Sequence, residues 1–255
     1  MSILASRQTM PSPASPNVIP FCELRPHGAS SSMRELCSPL ALEPEEMRQL
    51  DEVASNRSRV RKRDSLFWPG DPFTALYAIR LGTFKTVVLT EDGREQIMGY
   101  HMAGEIIGLD GIGNDRYASQ AVALEDSEVC VLPFDLLDEL AHNVTALRRN
   151  LYRFISNDIC RGQNMMLLLG SMRAEERLGL FLLNLAQRFQ TLGYSSSEFV
   201  LRMTREEIAS YLGLKLETVS RLFSRLQEEG LIQVQGRAIK LLDSSALKRL
   251  VGQRC

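Results

Sequence analysis

The sequence has little of what most catalytic or membrane chemistry requires. Histidine occurs three times (His27, His101, His142) and tryptophan once in 255 residues. No Gly-x-Ser-x-Gly, phosphate-loop or paired metal-binding motif is present. Beside the regulatory units described below, no residues remain for a catalytic domain, so an enzyme is not expected. Long apolar runs are also missing. The longest near-continuous stretch, Met165 to Leu169, is far too short to span a bilayer. The N-terminus shows no basic start, apolar run and small-residue cleavage site, so the chain is expected to be cytoplasmic and off the membrane. Net charge is nearly absent, −1 from 30 Lys+Arg and 31 Asp+Glu, which excludes a wholly basic nucleic-acid coat but permits a local DNA-binding face. Five cysteines (Cys22, Cys37, Cys130, Cys160, Cys255) are odd in number and scattered, which suits a reducing compartment better than a disulfide framework.

What is there divides into four parts, for an α+β fold. Residues 1–36 read as a tail, rich in proline and serine and without period. A short helix is expected over 43–55. Residues 37–133 read as a sensor domain of short strands: Leu66–Trp68, Ala75–Arg80, Phe84–Leu89, Gln96–His101, Ala118–Ala123 and Val129–Leu132. Turn chemistry separates them, with Pro69-Gly70-Asp71 as one turn and Asp92-Gly93 as a type I′ hairpin signal. This spacing predicts an antiparallel β-roll or jelly roll. Pro133 opens a helical region over 134–170. There Val144, Leu147, Leu151, Ile155, Ile159, Gly162, Met166 and Leu169 recur at steps of three and four. The stripe is either a helix–helix seam between two copies or the core-facing side of an ordinary helix. Glu175 to Leu192 reads as another helix, ended by Gly193.

Residues 171–255 carry the most specific pattern. Thr204-Arg205-Glu206-Glu207 is a capping box. Two helices fit on either side of Gly213, with Ile208 and Leu212 facing inward, Ala209 allowing close approach and Leu214 plugging the corner. On a helix of about 3.6 residues per turn, Ser220, Arg221, Ser224 and Arg225 fall within about 80° of Glu217. Leu216, Val219, Leu222, Phe223 and Leu226 occupy the opposite side. An acid, two hydroxyls and two arginines on one face can read base edges in a major groove. The spacing is that of a helix-turn-helix. Leu231–Leu242 reads as a hairpin turning near Gln235-Gly236, a wing beside the reading helix. Base contacts are expected from Glu217, Ser220 and Arg221. Backbone or flanking contacts are expected from Thr204, Lys215, Ser224, Arg225, Arg237 and Lys240.

The Gly82, Gly104-Glu105 and Gly108 pattern, the long helix and Glu217-Thr218-Val219-Ser220-Arg221 resemble the superfamily of the cyclic-AMP receptor protein. The closer likeness is to its fumarate-and-nitrate-reduction regulator branch. The resemblance runs from about Cys37 to Val251, through "LYAIRLGTFKT", "AEERLGLFLLNL" and "YLGLKLETVSRLFSRLQ". It implies a homodimeric transcription regulator, an activator in keeping with the branch, that reads a palindrome similar to TTGAT-N4-ATCAA through Glu217, Ser220 and Arg221. It also implies RNA polymerase as a partner, with a surface hairpin around 90–95 as the candidate contact.

Two ligands belong to such a family. Aligned on Gly104 and Gly108, the cyclic-nucleotide cassette has Leu109 in place of its ribose-holding Glu and Tyr117 after Arg116 in place of its Ser, so no cyclic nucleotide is expected. The other is an oxygen-labile 4Fe–4S cluster, held by three N-terminal cysteines and one in the roll. Cys37 and Cys130 match two of those positions, and Gly28 and Ser31 stand at the others, leaving the cysteine set incomplete. Cys22 is the nearby replacement, giving Cys22, Cys37 and Cys130, with His27 or a non-protein group as a fourth ligand. The alternatives are a thiol switch through Cys22 and Cys37, or a cofactor-free roll with an unidentified small-molecule effector. Control by oxygen or redox state is the expected function.

Overall fold

The computed structural model describes residues 53, 56–90, 93 and 95–252. The tail, Cys22, Cys37 and all of the expected 43–55 helix except residue 53 lie outside them.

Among the described residues, eight strands make the roll: β1 (Arg57–Val60), β2 (Ser65–Phe67), β3 (Ala75–Leu81), β4 (Thr83–Leu89), β5 (Glu95–Met102), β6 (Ile106–Ile107), β7 (Gln120–Ala123) and β8 (Ser127–Pro133). They form two antiparallel sheets, β1-β8-β3-β6 and β2-β7-β4-β5. Side chains alternate between the faces of a strand, so each sheet has an inner and an outer set. Ile79 and Val129 of the first sheet meet Phe67, Phe84, Ala121 and Ala123 of the second inside the roll. The outer face of the first sheet carries Leu76, Ala78, Cys130 and Leu132. The outer face of the second carries Val87, Ile97, Tyr100 and Met102, which join the core of the C-terminal domain.

The strand expectations hold with shifts of one to two residues at their ends. Of the expected Asp92-Gly93 turn, Asp92 lies outside the described residues, and the span between the paired strands differs from a two-residue hairpin. Strands β4 and β5 stop at Leu89 and resume at Glu95, which face each other, so five residues intervene rather than two. The Gly93 N–H bonds the Thr90 carbonyl at 2.8 Å, which makes the glycine the last residue of its turn, at φ +80°. Gly82 is held by two constraints. Its φ is +94°, and a Cβ there would lie 2.0 Å from Ser127 Oγ.

Helix α1 (Phe134–Asn143) follows Pro133 directly, and α2 (Thr145–Ser171) begins two residues later. The single helix expected over 134–170 is therefore two, because Val144 is extended (φ −107°, ψ 96°) and buries its side chain against the roll. The stripe divides as well. Val144, Leu147 and Leu151 are buried with Leu76, Leu132 and Leu137 and belong to this chain's own core, so they are not free to form a seam. Ile155 is half-buried, whereas Ile159 (57% exposed), Gly162 and Met166 (68% exposed) face outward. Leu169 packs on the C-terminal core.

That domain comprises α3 (Ala174–Thr191), β9 (Glu198–Val200), α4 (Arg205–Leu212), α5 (Leu216–Glu228), β10 (Ile232–Gln235), β11 (Ala238–Leu241) and α6 (Ser244–Leu250). The expected hairpin is β10–β11, closed by the two residues Gly236 and Arg237 between the paired Gln235 and Ala238. Strand β9, not foreseen, adds to β11 as a third strand.

Candidate nucleic-acid interface

The site is built from α4, its corner and α5. Thr204 Oγ1 accepts the Glu207 N–H at 3.1 Å, and Glu207 Oε2 accepts the Thr204 N–H at 2.7 Å, which completes the capping box. Gly213 ends α4 at φ +62°. A Cβ at that position would lie 3.0 Å from Leu169 Cδ2, so the glycine also permits the end of α2 to approach. Ile208, Ala209 and Leu212 pack against Val219, Leu222, Phe223 and Leu226, which fixes α5 across α4. The Arg205 guanidinium stacks 3.3 Å from the Phe223 ring centroid. Burial pulls its pKa down to about 10, which leaves it a cation at neutral pH.

The expected polar face is exposed: Glu217, Ser220, Arg221, Ser224 and Arg225 all lie outside the core. The structure sorts them. Arg225 bonds Glu229 at 2.8 Å and also Glu175 at the start of α3, and Ser224 Oγ donates to the Ser220 carbonyl. Glu217 and Arg221 make no side-chain hydrogen bond or ion pair with any described residue. The groups free to take a ligand therefore gather in the first two turns of α5. Leu216, expected in the core, is instead 43% exposed beside them. Lys215, Arg237 and Lys240 are exposed at the corner and on the wing, with Arg237 bonding the Arg202 carbonyl at 3.4 Å.

The roll docks on this domain through contacts that no local pattern announces. Lys85 Nζ reaches Glu207 Oε1 at 2.9 Å. Gln96 Nε2 donates to the Ser210 carbonyl at 2.6 Å, and Ser210 Oγ accepts the Ile97 N–H at 3.1 Å. Arg202 Nε lies 3.1 Å from Glu125 Oε2. Buried Glu105 takes Arg188 of α3 at 2.8 Å and Arg161 of α2 at 3.4 Å. Burial opposes its ionisation, but the two guanidiniums hold the carboxyl below its ordinary range. Of these groups, the sequence singled out Glu105, in the Gly104-Glu105 pattern, and Glu207, in the capping box, but none of the contacts between the domains.

A cavity of about 340 Å³ lies between the roll and α2, lined in part by Thr86, His101, Glu105, Ser119, Asp158 and Arg161. Burial pushes the His101 pKa down to about 3, so its ring is neutral there. At the cassette's Arg-Ser pair, Tyr117 stacks on Phe67 at 3.9 Å and donates to the Ala75 carbonyl at 2.7 Å. Exposed Arg116 donates to the Gly70 carbonyl at 2.5 Å, at the surface turn. Leu109, at the ribose-holding position, lines the cavity, whereas Arg116 and Tyr117 do not.

Of the cysteines expected to hold a cluster, only Cys130 lies among the described residues. Cys130 is buried under α1 and α2, and burial raises its thiol pKa against the opposing pull of Arg57 and Arg80. Among the described residues no three His, Cys, Asp or Glu side chains converge on one point. Gly28 and Ser31, two of the positions the resemblance assigns to ligands, bear no thiol. Cys22 and Cys37 lie outside the described residues.

Comparison with known proteins agrees with this architecture. Residues 176–250 match the model of the Crp-like helix-turn-helix domain, and residues 57–143 that of the cyclic nucleotide-binding domain. The transcriptional regulatory protein btr of Bordetella pertussis is 45% identical over 92% of this chain and 97% of its own. The transcriptional activator protein anr of Pseudomonas aeruginosa is 44% identical over 89% of this chain and 93% of its own. The solved structure of FixK2 from Bradyrhizobium japonicum superposes with a TM-score of 0.71 at 30% identity, over 76% of this chain and 96% of that one. Among the described residues no helix is long and apolar enough to cross a membrane. A β-roll joined through a long helix to a winged helix-turn-helix, with these relatives along nearly its whole length, makes the chain a member of the Crp/Fnr family of DNA-binding transcriptional regulators.

Proposed function

We propose that this regulator binds, as a homodimer, a palindrome similar to TTGAT-N4-ATCAA, and that oxygen or redox state controls the binding. The carrying observation is the set of exposed side chains in the first two turns of α5, where Glu217 and Arg221 have no internal partner among the described residues. Arginine can take guanine O6 and N7 bidentately, a carboxylate can accept from cytosine N4, and a hydroxyl serves either base or phosphate. Lys215, Arg237 and Lys240 flank these groups as phosphate contacts. Thr204, Ser224 and Arg225 are the further flanking contacts, with Arg225 also paired at the surface to Glu175 and Glu229. Two copies would meet along Ile159, Gly162 and Met166, setting two reading helices about one DNA turn, roughly 34 Å, apart. RNA polymerase is the further partner, with the β4–β5 hairpin as its contact, and the cytoplasm is the compartment.

Oxygen or redox control rests on relatives whose names include the anaerobic regulatory protein of Pasteurella multocida and the electron transport regulator A of Shewanella oneidensis. A signal can favour DNA binding only by interacting differently with the two states. Cys130 sits beneath α1 and α2, where a change at sulfur would be felt by the helix that carries the seam. The cavity beside Glu105 favours a second reading, a small-molecule effector held between roll and helix. One experiment separates them: anaerobic purification, iron and sulfide assay, and DNA binding before and after air. Binding lost in air and restored by a reductant is the expected result. Binding indifferent to air and unchanged in Cys130→Ala overturns redox control.

A further inference from the structure

We propose that the roll carries a second DNA surface, a cationic turn at Arg61, Lys62 and Arg63 that takes phosphates of the duplex flanking the palindrome. The inference rests on α5 being the base-reading helix, which decides where the flanks run. Residues 57–63 hold five cations and no acid, in a chain whose net charge is −1. All five are exposed. Arg57 and Arg59 lie on the edge strand β1, where charge keeps a sheet edge from pairing with another chain. That role does not extend to Arg61, Lys62 and Arg63, which lie past the end of the strand. None of the three makes a side-chain hydrogen bond or ion pair with any described residue.

The backbone of the turn is held while its side chains stay in water. The Asp64 N–H bonds the Arg61 carbonyl at 3.0 Å, and the Arg63 N–H bonds the Ala123 carbonyl at 2.8 Å. The Lys62 N–H bonds Asp126 Oδ1 at 2.9 Å. Arg63 sits at φ +76°, a left-handed conformation uncommon outside glycine. The position of the turn points to its partner. Asp126 follows Glu125, which pairs with Arg202 of the DNA-binding domain, and the Arg202 carbonyl accepts from Arg237 of the wing. Lys240 and Arg237 thus continue through Arg202 to the turn, as one cationic strip from the wing onto the roll. The acids along it are already engaged, Glu125 by Arg202 and Thr83 and Asp126 by the Lys62 backbone. A duplex carries one phosphate charge about every 1.7 Å, so DNA lying along the wing fits a strip that continues past it. Contacts of this kind offset the cost of bending a flank toward the protein.

The test compares two duplexes by fluorescence anisotropy with the full chain. One is the palindrome alone, and the other adds about one helical turn, roughly 10 base pairs, on each side. The variant combines Arg61→Gln, Lys62→Gln and Arg63→Asn, with asparagine chosen because it tolerates a left-handed backbone. Wild type is expected to bind the long duplex at least about tenfold more tightly at about 0.1 M salt. Its slope of log affinity against log salt should be steeper there by about 4, for two phosphates on each flank of a dimer. The variant should bind both duplexes alike, with the wild-type affinity for the short one, and should unfold thermally with wild type. Arg61→Lys with Arg63→Lys, which keeps the charge, should retain the gain. A preference for the long duplex that survives in the triple variant overturns the proposal and leaves the turn to an acidic protein surface or to solvent. An equal loss on both duplexes also overturns it, because the turn would then act on the palindrome itself. Failure of wild type to prefer the palindrome over a scrambled duplex of equal length removes α5 as the base reader, and with it the placement of the flanks.

Discussion

Lys85 of the roll and the capping carboxylate of the helix-turn-helix, Glu207, form one ion pair: Nζ meets Oε1 at 2.9 Å while Oε2 holds the Thr204 N–H at 2.7 Å. The same carboxylate thus caps α4 and ties the DNA-binding domain to the sensor. A change in the roll that moves β4 acts directly on the start of the first helix of the reading motif.

Burial works against ionisation of Glu207, but the Thr204 backbone N–H and the Lys85 ammonium outweigh it and hold the carboxyl below its ordinary 4.5. A depressed carboxyl stabilises the fold fully above its unfolded pKa and ceases to do so as pH falls through the folded value. Lys85→Met should therefore destabilise the protein by about 1 kcal/mol at pH 7, the scale of a partly screened pair. Denaturant unfolding of both proteins at pH 7 and below pH 4 checks this. The gap should shrink in acid, and an equal gap at both pH values rules out the ion pair as its source.

Arg221→Ala should cost roughly 1–3 kcal/mol of DNA affinity and relax preference at one base position per half-site. Lys240→Ala should weaken binding to every sequence alike and reduce the slope of log affinity against log salt by about 1. Anisotropy titrations over a salt series with point-substituted palindromes distinguish the two. Undiminished binding by Arg221→Ala removes it from the base-reading set.

The two halves of the α2 stripe should respond differently to mutation. Leu147→Ala, at a position 6% exposed, should destabilise the fold by about 2–5 kcal/mol through the cavity it leaves. Ile159→Glu, at a position 57% exposed, should leave monomer stability nearly unchanged and shift sedimentation toward the monomer. A dimer that persists in Ile159→Glu with Met166→Glu would place the seam elsewhere.

Much of this protein is written in local pattern. The capping box at Thr204–Glu207, the left-handed turn at Gly213 and the two-sided α5 depend on residues within a few positions of one another, so spacing alone determines them. Six of the eight described strands of the roll follow for the same reason, because alternation and glycine turns are short-range signals, whereas β1 and β6 were not expected. Tertiary structure decided what depends on distant partners. A single apolar stripe from Val144 to Leu169 cannot announce that its first third packs on β3 and β8 while Ile159 and Met166 stay outside, since the roll surface that covers it is assembled from segments far away in sequence. Angle on a helical wheel gave Arg225 to DNA and Leu216 to the core. A carboxylate 50 residues away, Glu175, pairs with Arg225, and Leu216 is 43% exposed. Periodicity fixes which side of a helix a residue occupies. Burial depends on where neighbouring elements stop, and only the folded chain determines that.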